Sequence, residues 1–308
     1  MISVLTILGF ATIAKAEAQQ VDIVVRAGDW FEYSVINNIG GPNTLHLTVT
    51  NVSNPMVYFN VSQTFPNGTQ VQSSASMNES SLENSGLQAF EFMPANVTAG
   101  STFTAPVLEN ITVTVESKVV DGLTVDYVNS TFTVPIGFEN LAVSVNYEWQ
   151  QATGVPINET LFIPSMNIYE SYILTAERWV NPIQISGVTY YVSTTSNSTV
   201  SSFSFSQSAR EISFNVTGAS GTKGYCNVTI PTALLSGPYS TYIDGSLVTP
   251  TVTSNSTCTS LYFTYTHSTH QVEIIGAAVV LEFPSDMMLA MLMIASAATM
   301  IYLKKKVH

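Results

Sequence analysis

From residue 21 to about 275 the chain alternates apolar and polar side chains with a period of two, and this alternation limits its fold more than any other feature. Successive strand side chains point to opposite faces, so a run such as Ile111-Thr112-Val113-Thr114-Val115 makes one apolar face and one wet face. β-Branched and aromatic residues fill these runs, and turn dipeptides separate them. The pattern predicts an all-β protein with no helical domain.

Two regions are expected. The first, residues 19–165, reads as an antiparallel meander or curved sheet that begins at Gly28-Asp29-Trp30. It turns at Pro66-Asn67-Gly68 and again at Asp121-Gly122, where Asp-Gly supplies the positive φ of a tight hairpin. A last hairpin passes through Ala152-Thr153-Gly154. The second region, residues 168–276, carries shorter strands at closer spacing, from VTYYVSTT (188–195) to HQVEIIG (270–276). That density suggests an immunoglobulin-like β-sandwich. Phe203, Phe205, Ile212, Phe214, Val228, Ile230, Leu261 and Phe263 have the phase to fill its core.

The two ends are different. Residues 1–18 read as a signal peptide, a short apolar run closed by Ala14-Lys15-Ala16-Glu17-Ala18, with cleavage expected after Ala18 or Ala16. No Lys or Arg precedes the apolar run, so retention as a signal anchor is the competing expectation. A juxtamembrane linker (277–286) leads to residues 287–303, seventeen residues without a charge, followed by Lys304-Lys305-Lys306 in a short basic tail (304–308). As a helix that run spans about 26 Å, close to the thickness of a bilayer core. The lysines suit the cytoplasmic side. The expected topology is a single-pass protein of the cell membrane, with an extracellular ectodomain and a cytoplasmic C-terminus.

Charge narrows the partners. Nine basic and 21 acidic residues give a net −12, and the exported stretch is more acidic still, because four of the lysines lie in the leader and tail. Such a surface repels phosphate backbones, so no nucleic acid is expected as partner. Solubility falls to Ser, Thr and Asn. Twelve asparagines stand in Asn-x-Ser/Thr sequons: Asn51, Asn60, Asn67, Asn78, Asn96, Asn110, Asn129, Asn158, Asn197, Asn215, Asn227 and Asn255. The phase of the flanking apolar residues turns Asn110, Asn215 and Asn227 outward, where a glycan can be attached. The two cysteines, Cys226 and Cys258, are expected to form one disulfide, worth about 3–4 kcal/mol on the chain-entropy account.

Catalytic constellations are weak. No HExxH, P-loop, nucleophile elbow or dinucleotide fingerprint occurs. Of the four histidines, His46, His267, His270 and His308, only His267 and His270 are close. Three apart on a strand they face opposite ways, which favours a structural role over chelation. The acid pairs Glu79/Glu83 and Asp121/Asp126 lack a motif. Trp30, Trp149 and Trp179 invite a carbohydrate-platform reading, with core packing as the simpler one. No metal or cofactor is expected.

The ending Leu281-Glu282-Phe283-Pro284-Ser285, then an apolar helix and a basic cluster, resembles the PEFPS-type C-terminus of archaeal surface proteins of the PEF-CTERM class. The stretch from Gly224-Tyr225-Cys226 to Ile274-Ile275-Gly276 resembles a domain that precedes such endings. Leu281 stands where PEF has proline, which favours retention of the helix over cleavage. The resemblance implies location and architecture without chemistry. The expected function is a non-enzymatic, glycosylated envelope or adhesion module that contacts other envelope proteins or glycans. The alternative is a lipid or apolar-ligand carrier that uses an uncovered concave face of the first region.

Overall fold

The computed structural model describes residues 24–78, 95–97, 99–105, 111–120, 123–136 and 139–279, with residues 14–15, 84–85, 293 and 296. The expected signal peptide, apart from Ala14 and Lys15, lies outside the described residues, as do the expected anchor, apart from Met293 and Ser296, and the basic tail. Met293 and Ser296 are helical, and the Ser296 hydroxyl donates to the Met293 carbonyl at 2.8 Å. Among the described residues no helix is long and apolar enough to cross a membrane. The described chain is all-β, built from large antiparallel sheets.

Strands β1 (Trp30–Asn37), β2 (Thr44–Ser53), β3 (Met56–Thr64) and β4 (Gln70–Asn78) form one meander. Its turn at Pro66-Asn67-Gly68 closes as expected. Phe65 N–H bonds to Thr69 O at 2.9 Å, and Gly68 takes a φ of 82°. A second meander comprises β5 (Glu116–Val120), β6 (Leu123–Ile136), β7 (Glu139–Gln150) and β8 (Pro156–Ile163). Val120 pairs with Leu123 across Asp121-Gly122, two residues that lie outside those described.

The meanders meet on β9 (Ile168–Ile185), an 18-residue strand. On one side it pairs with β1. On the other it pairs with β8 through residues 168–173 and then with β10 (Val188–Ser196) through residues 177–185. The sheet therefore forks at Leu174–Ala176, where the register with β1 also shifts. One strand thus runs from the first region straight into the second.

Beyond the fork come β11 (Thr199–Ser206), β12 (Glu211–Thr217), β13 (Lys223–Pro231), β14 (Ser240–Ile243), β15 (Ser246–Val248), β16 (Thr251–Ser254), β17 (Cys258–Thr266) and β18 (Thr269–Ile275). β10, β13, β17 and β16 extend the large sheet, while β11-β12-β18-β14-β15 form a separate one. Ile212, Phe214, Val272 and Ile274 from the small sheet and Val192, Val228, Ile230 and Leu261 from the large one are at most 1% exposed and share one core. Phe203 and Phe205 pack against that core only partly buried, because β11 is an edge strand with a register shift at Ser201/Ser204. Each fully buried side chain of this size contributes about 1.5–3 kcal/mol.

The same core reaches the first region. Phe31, Tyr33, Leu47, Phe59 and Met77 on the meander β1–β4 are 0–1% exposed. Trp149 and Val155, from the end of β7 and the turn after it, pack into the same cluster. The Tyr33 hydroxyl donates across this layer to Pro156 O at 3.1 Å.

Candidate functional site

The fork leaves a cavity of about 320 Å³ lined by Leu174, Ala176, Glu177, Ser198, Thr222 and His267, among others. Glu177 occupies its inner wall at 1% exposure. Its carboxylate accepts the Val200 N–H at 2.6 Å and the Gln150 side-chain amide at 2.9 Å. It thereby ties β9 to β11 and to the end of β7. Burial pushes Glu177 up to about 7, against those two hydrogen bonds. Asp29, fully buried, plays the same part at the entry to β1. It accepts Arg26 N–H and Val180 N–H, each at 2.6 Å, and burial pushes it up to about 6.

Above Glu177 runs a hydroxyl–imidazole relay. Thr222 Oγ1 donates its one hydrogen to Ala219 O at 2.7 Å, so at 2.5 Å it accepts from His267 Nδ1. Nε2 is then the acceptor, and Ser198 Oγ donates to it at 2.8 Å. Tyr265 Oη, 2.7 Å from Ser198 Oγ, fills the serine's acceptor side. Burial lowers the His267 pKa, with His270 adding to the effect, so the imidazole is neutral at pH 7. A serine hydroxyl facing a neutral imidazole is the core of a nucleophilic dyad. Two features make it a clamp here. The partner on Nδ1 is the Thr222 hydroxyl, which cannot stabilise an imidazolium as a carboxylate does. Ser198 and His267 are also only 3% and 6% exposed, with every polar atom of the relay engaged. The relay fastens residues 196–198, 219–222 and 265–267 to one another.

The other expected residues fall in separate places. His270 Nδ1 meets Asp244 at 2.6 Å, and Nε2 meets Thr266 O at 2.7 Å. Burial opposes the imidazolium, but these two acceptors outweigh it, and the His270 pKa rises. The Asp244 pKa falls through the same contact and the Gln271 N–H. His267 and His270 thus serve different partners, on either side of a break at Ser268, and both abut the Tyr265 ring. No group of three metal-ligating side chains occurs among the described residues. Trp149 and Trp179 are core residues at 0% and 6% exposure, whereas Trp30 is half-buried on the outer face of β1. Asp126 is fully buried and accepts from Ser117 and Gln151. Its suggested companion Asp121, together with Glu79, Glu83 and His308, lies outside the described residues.

The sequons sort by environment. Asn51, Asn60, Asn67, Asn96, Asn129 and Asn255 are exposed; Asn78, Asn158, Asn197, Asn215 and Asn227 are half-buried; Asn110 lies outside the described residues. Asn215 and Asn227 do face away from their fully buried neighbours Phe214, Val216, Cys226 and Val228. Asn197 is locked: its amide donates to Lys223 O at 2.9 Å and accepts Tyr225 N–H at 2.8 Å. A glycan on that nitrogen would take one of its two hydrogens and would have to fit beside the Lys223 carbonyl, at a half-buried position. Site-resolved mass spectrometry of the native protein should find Asn197 bare while exposed sequons carry glycan, and full occupancy there would refute this geometry.

The expected disulfide does not form: Cys226 and Cys258 are both free thiols. They lie on the paired strands β13 and β17, but Cys226 stands opposite Phe263 and Cys258 opposite Pro231. Five residue pairs separate them, about 17 Å at ~3.4 Å per residue, whereas a bridge requires Cα atoms within about 7 Å. Burial pushes the Cys226 thiol well above its ordinary range. Thiol titration should therefore count one reactive group in the native protein, Cys258, and two after denaturation. Reduction should leave the melting temperature unchanged.

A second concavity, about 520 Å³, lies on the outer face of β2–β4 and is lined by His46, Thr48, Asn60, Ser62, Gln72 and Ser74, together with Val61 and Ser73. No protein-family model, curated protein or solved structure matches this chain. The functional reading therefore rests on the chain's own chemistry.

Proposed function

We propose that this protein is a membrane-anchored, N-glycosylated cell-surface protein that acts as an envelope or adhesion and interaction module without catalytic activity. The observation that carries the reading is the distribution of its sequons. Six are exposed, on outward strand positions and turns of both regions, and behind Asn60 and Asn129 the neighbouring Phe59, Val61 and Val128 are buried. The apolar run 287–303 with its lysine tail supplies the transmembrane helix, and residues 1–18 the export signal. The second region is read as an immunoglobulin-like sandwich, with the arm β10-β13-β17-β16 as one layer and β11-β12-β18-β14-β15 as the other. The resemblance to PEF-CTERM surface proteins supports the same location, with other envelope proteins or glycans as partners.

The alternative is the carrier reading. It needs an open concave apolar face on the first region, and on β1–β4 the residues Phe31, Leu47, Phe59 and Met77 are 0–1% exposed, which favours the envelope reading for that meander. The decisive experiment treats intact cells with an external protease and then extracts the membranes with alkaline carbonate. Release of fragments from residues 24–279, with the 287–308 peptide retained in the membrane pellet, is the expected result. Recovery of the whole chain in the soluble cytosolic fraction would overturn the proposal.

A further inference from the structure

We infer that the groove on β2–β4 is a cradle for a neutral saccharide, and that its occupant is the glycan attached to Asn60. This rests on the glycoprotein reading above. The outer face of the meander is built in rows by its register. Trp30, Thr48, Asn60 and Ser74 stand opposite one another across β1–β4, and Glu32, His46, Ser62 and Gln72 form the adjacent row. The groove therefore presents hydroxyls and side-chain amides, the groups that exchange hydrogen bonds with sugar hydroxyls. Its ionisable wall is confined to His46, whose Nδ1 lies 3.7 Å from Glu32. No lysine or arginine lines it, so its chemistry fits an uncharged sugar better than an acidic one.

An aromatic ring stands beside the groove, next to its lining residues His46 and Thr48. Trp30 packs on His46 with ring centroids 5.1 Å apart, tilted by 36°. Of the three tryptophans it is the one that is half-exposed, and an indole face accepts the C–H face of a pyranose. The groove volume of about 520 Å³ falls within the ~300–1,000 Å³ range of small-ligand sites.

The occupant follows from Asn60 itself. Its sequon, Asn60-Val61-Ser62, lies inside the groove, and its exposed amide makes no hydrogen bond to a described residue. A sugar linked there is held at an effective concentration in the millimolar range, so weak contacts to hydroxyls suffice to dock it. Asn129, on β6 in the other meander, is equally exposed but does not line this groove.

The test uses full-length protein purified from its native membranes, with glycopeptide mapping followed by hydrogen exchange read by mass spectrometry. Asn60 should be occupied. Ser62→Ala, which destroys the sequon but keeps Asn60, should speed exchange in peptides spanning 44–53 and 70–78 on the order of tenfold. Asn60→Gln should do the same, Ser62→Thr should restore native exchange, and Asn129→Gln should leave these peptides unchanged. A bare Asn60 beside occupied Asn129 or Asn51 overturns the cradle alone. Equal exchange in Ser62→Ala and Ser62→Thr also overturns it. No glycan at any sequon overturns the glycoprotein reading with it.

Discussion

The unfolding free energy should fall by about 3 kcal/mol between pH 4.5 and 7 through Glu177 alone, because one pKa unit is worth about 1.4 kcal/mol. The sign follows from burial. The folded carboxyl titrates at about 7 against 4.5 in the free side chain, so in that window the native state binds the extra proton. Stability is fully present below pH 4.5 and is lost as pH rises through 7. Asp29, raised from 3.8 to about 6, adds about 3 kcal/mol in the same direction over a lower window. Denaturant midpoints measured from pH 5 to pH 8 should therefore decline, most steeply below pH 7.

Glu177→Gln isolates the first contribution. A glutamine oxygen still accepts the Val200 N–H, and its new amide faces Gln150. Gln150 can then turn its own amide, because its present partner on the other side is the Thr153 hydroxyl, which donates or accepts. The variant should match the native protein near pH 5, exceed it by about 2–3 kcal/mol at pH 8, and lose the part of the slope that Glu177 supplies. Glu177→Ala should be weaker than Glu177→Gln at every pH, since Val200 and Gln150 lose their acceptor at about 1–3 kcal/mol each. Parallel pH profiles for Glu177→Gln and the native chain would show that Glu177 is ionised throughout.

Gly224→Ala should cost roughly 3–5 kcal/mol and lower the melting temperature on the order of 5–10 °C. A Cβ at 224 would sit 2.3 Å from Tyr265 Cε2 and 2.7 Å from His267 Cδ2. Neither ring is free to withdraw. Tyr265 holds Ser198 at 2.7 Å, and His267 spans Ser198 at 2.8 Å and Thr222 at 2.5 Å. Relieving the clash breaks at least one of these bonds, about 1 kcal/mol each, on top of the overpacking. Gly187→Ala is the control: its φ is +80° and nothing lies within 4 Å, so backbone strain alone acts, about 1 kcal/mol. Equal melting of the two variants would mean that the relay rings move freely and are no clamp.

Much of the local structure is legible along the chain. The Pro66-Asn67-Gly68 and Ala152-Thr153-Gly154 turns are readable because positive φ is a local demand that glycine meets, and Gly68 and Gly154 do adopt it. The phase of β12 and β13 is readable because alternation is local too, and Phe214 and Val228 land in the core. β9 is not legible. Its burial pattern is irregular, with Glu170, Ser171 and Glu177 buried among apolar residues, because it changes neighbours halfway along. A strand that serves three partners has no single wet face, so period two fails as a signal.

The sites divide the same way. The sequons are visible as triplets, but not that Asn197 spends its amide on Lys223 and Tyr225. Ser198 and His267 are 69 residues apart, and nothing near either one announces their contact. Cysteine number and compartment say nothing of ladder register, and the β13–β17 register keeps Cys226 and Cys258 apart.

By itself the sequence determined the all-β class, the turns and the faces of the regular strands, because alternation and φ preference act between neighbours. Only the tertiary structure decided the fork at β9, the burial of Asp29 and Glu177, the relay, the free thiols and the sorting of the sequons. Each of these depends on which distant strands pair and in what register. That choice is made by burying one shared core, a sum over many weak contacts that no short window of residues contains.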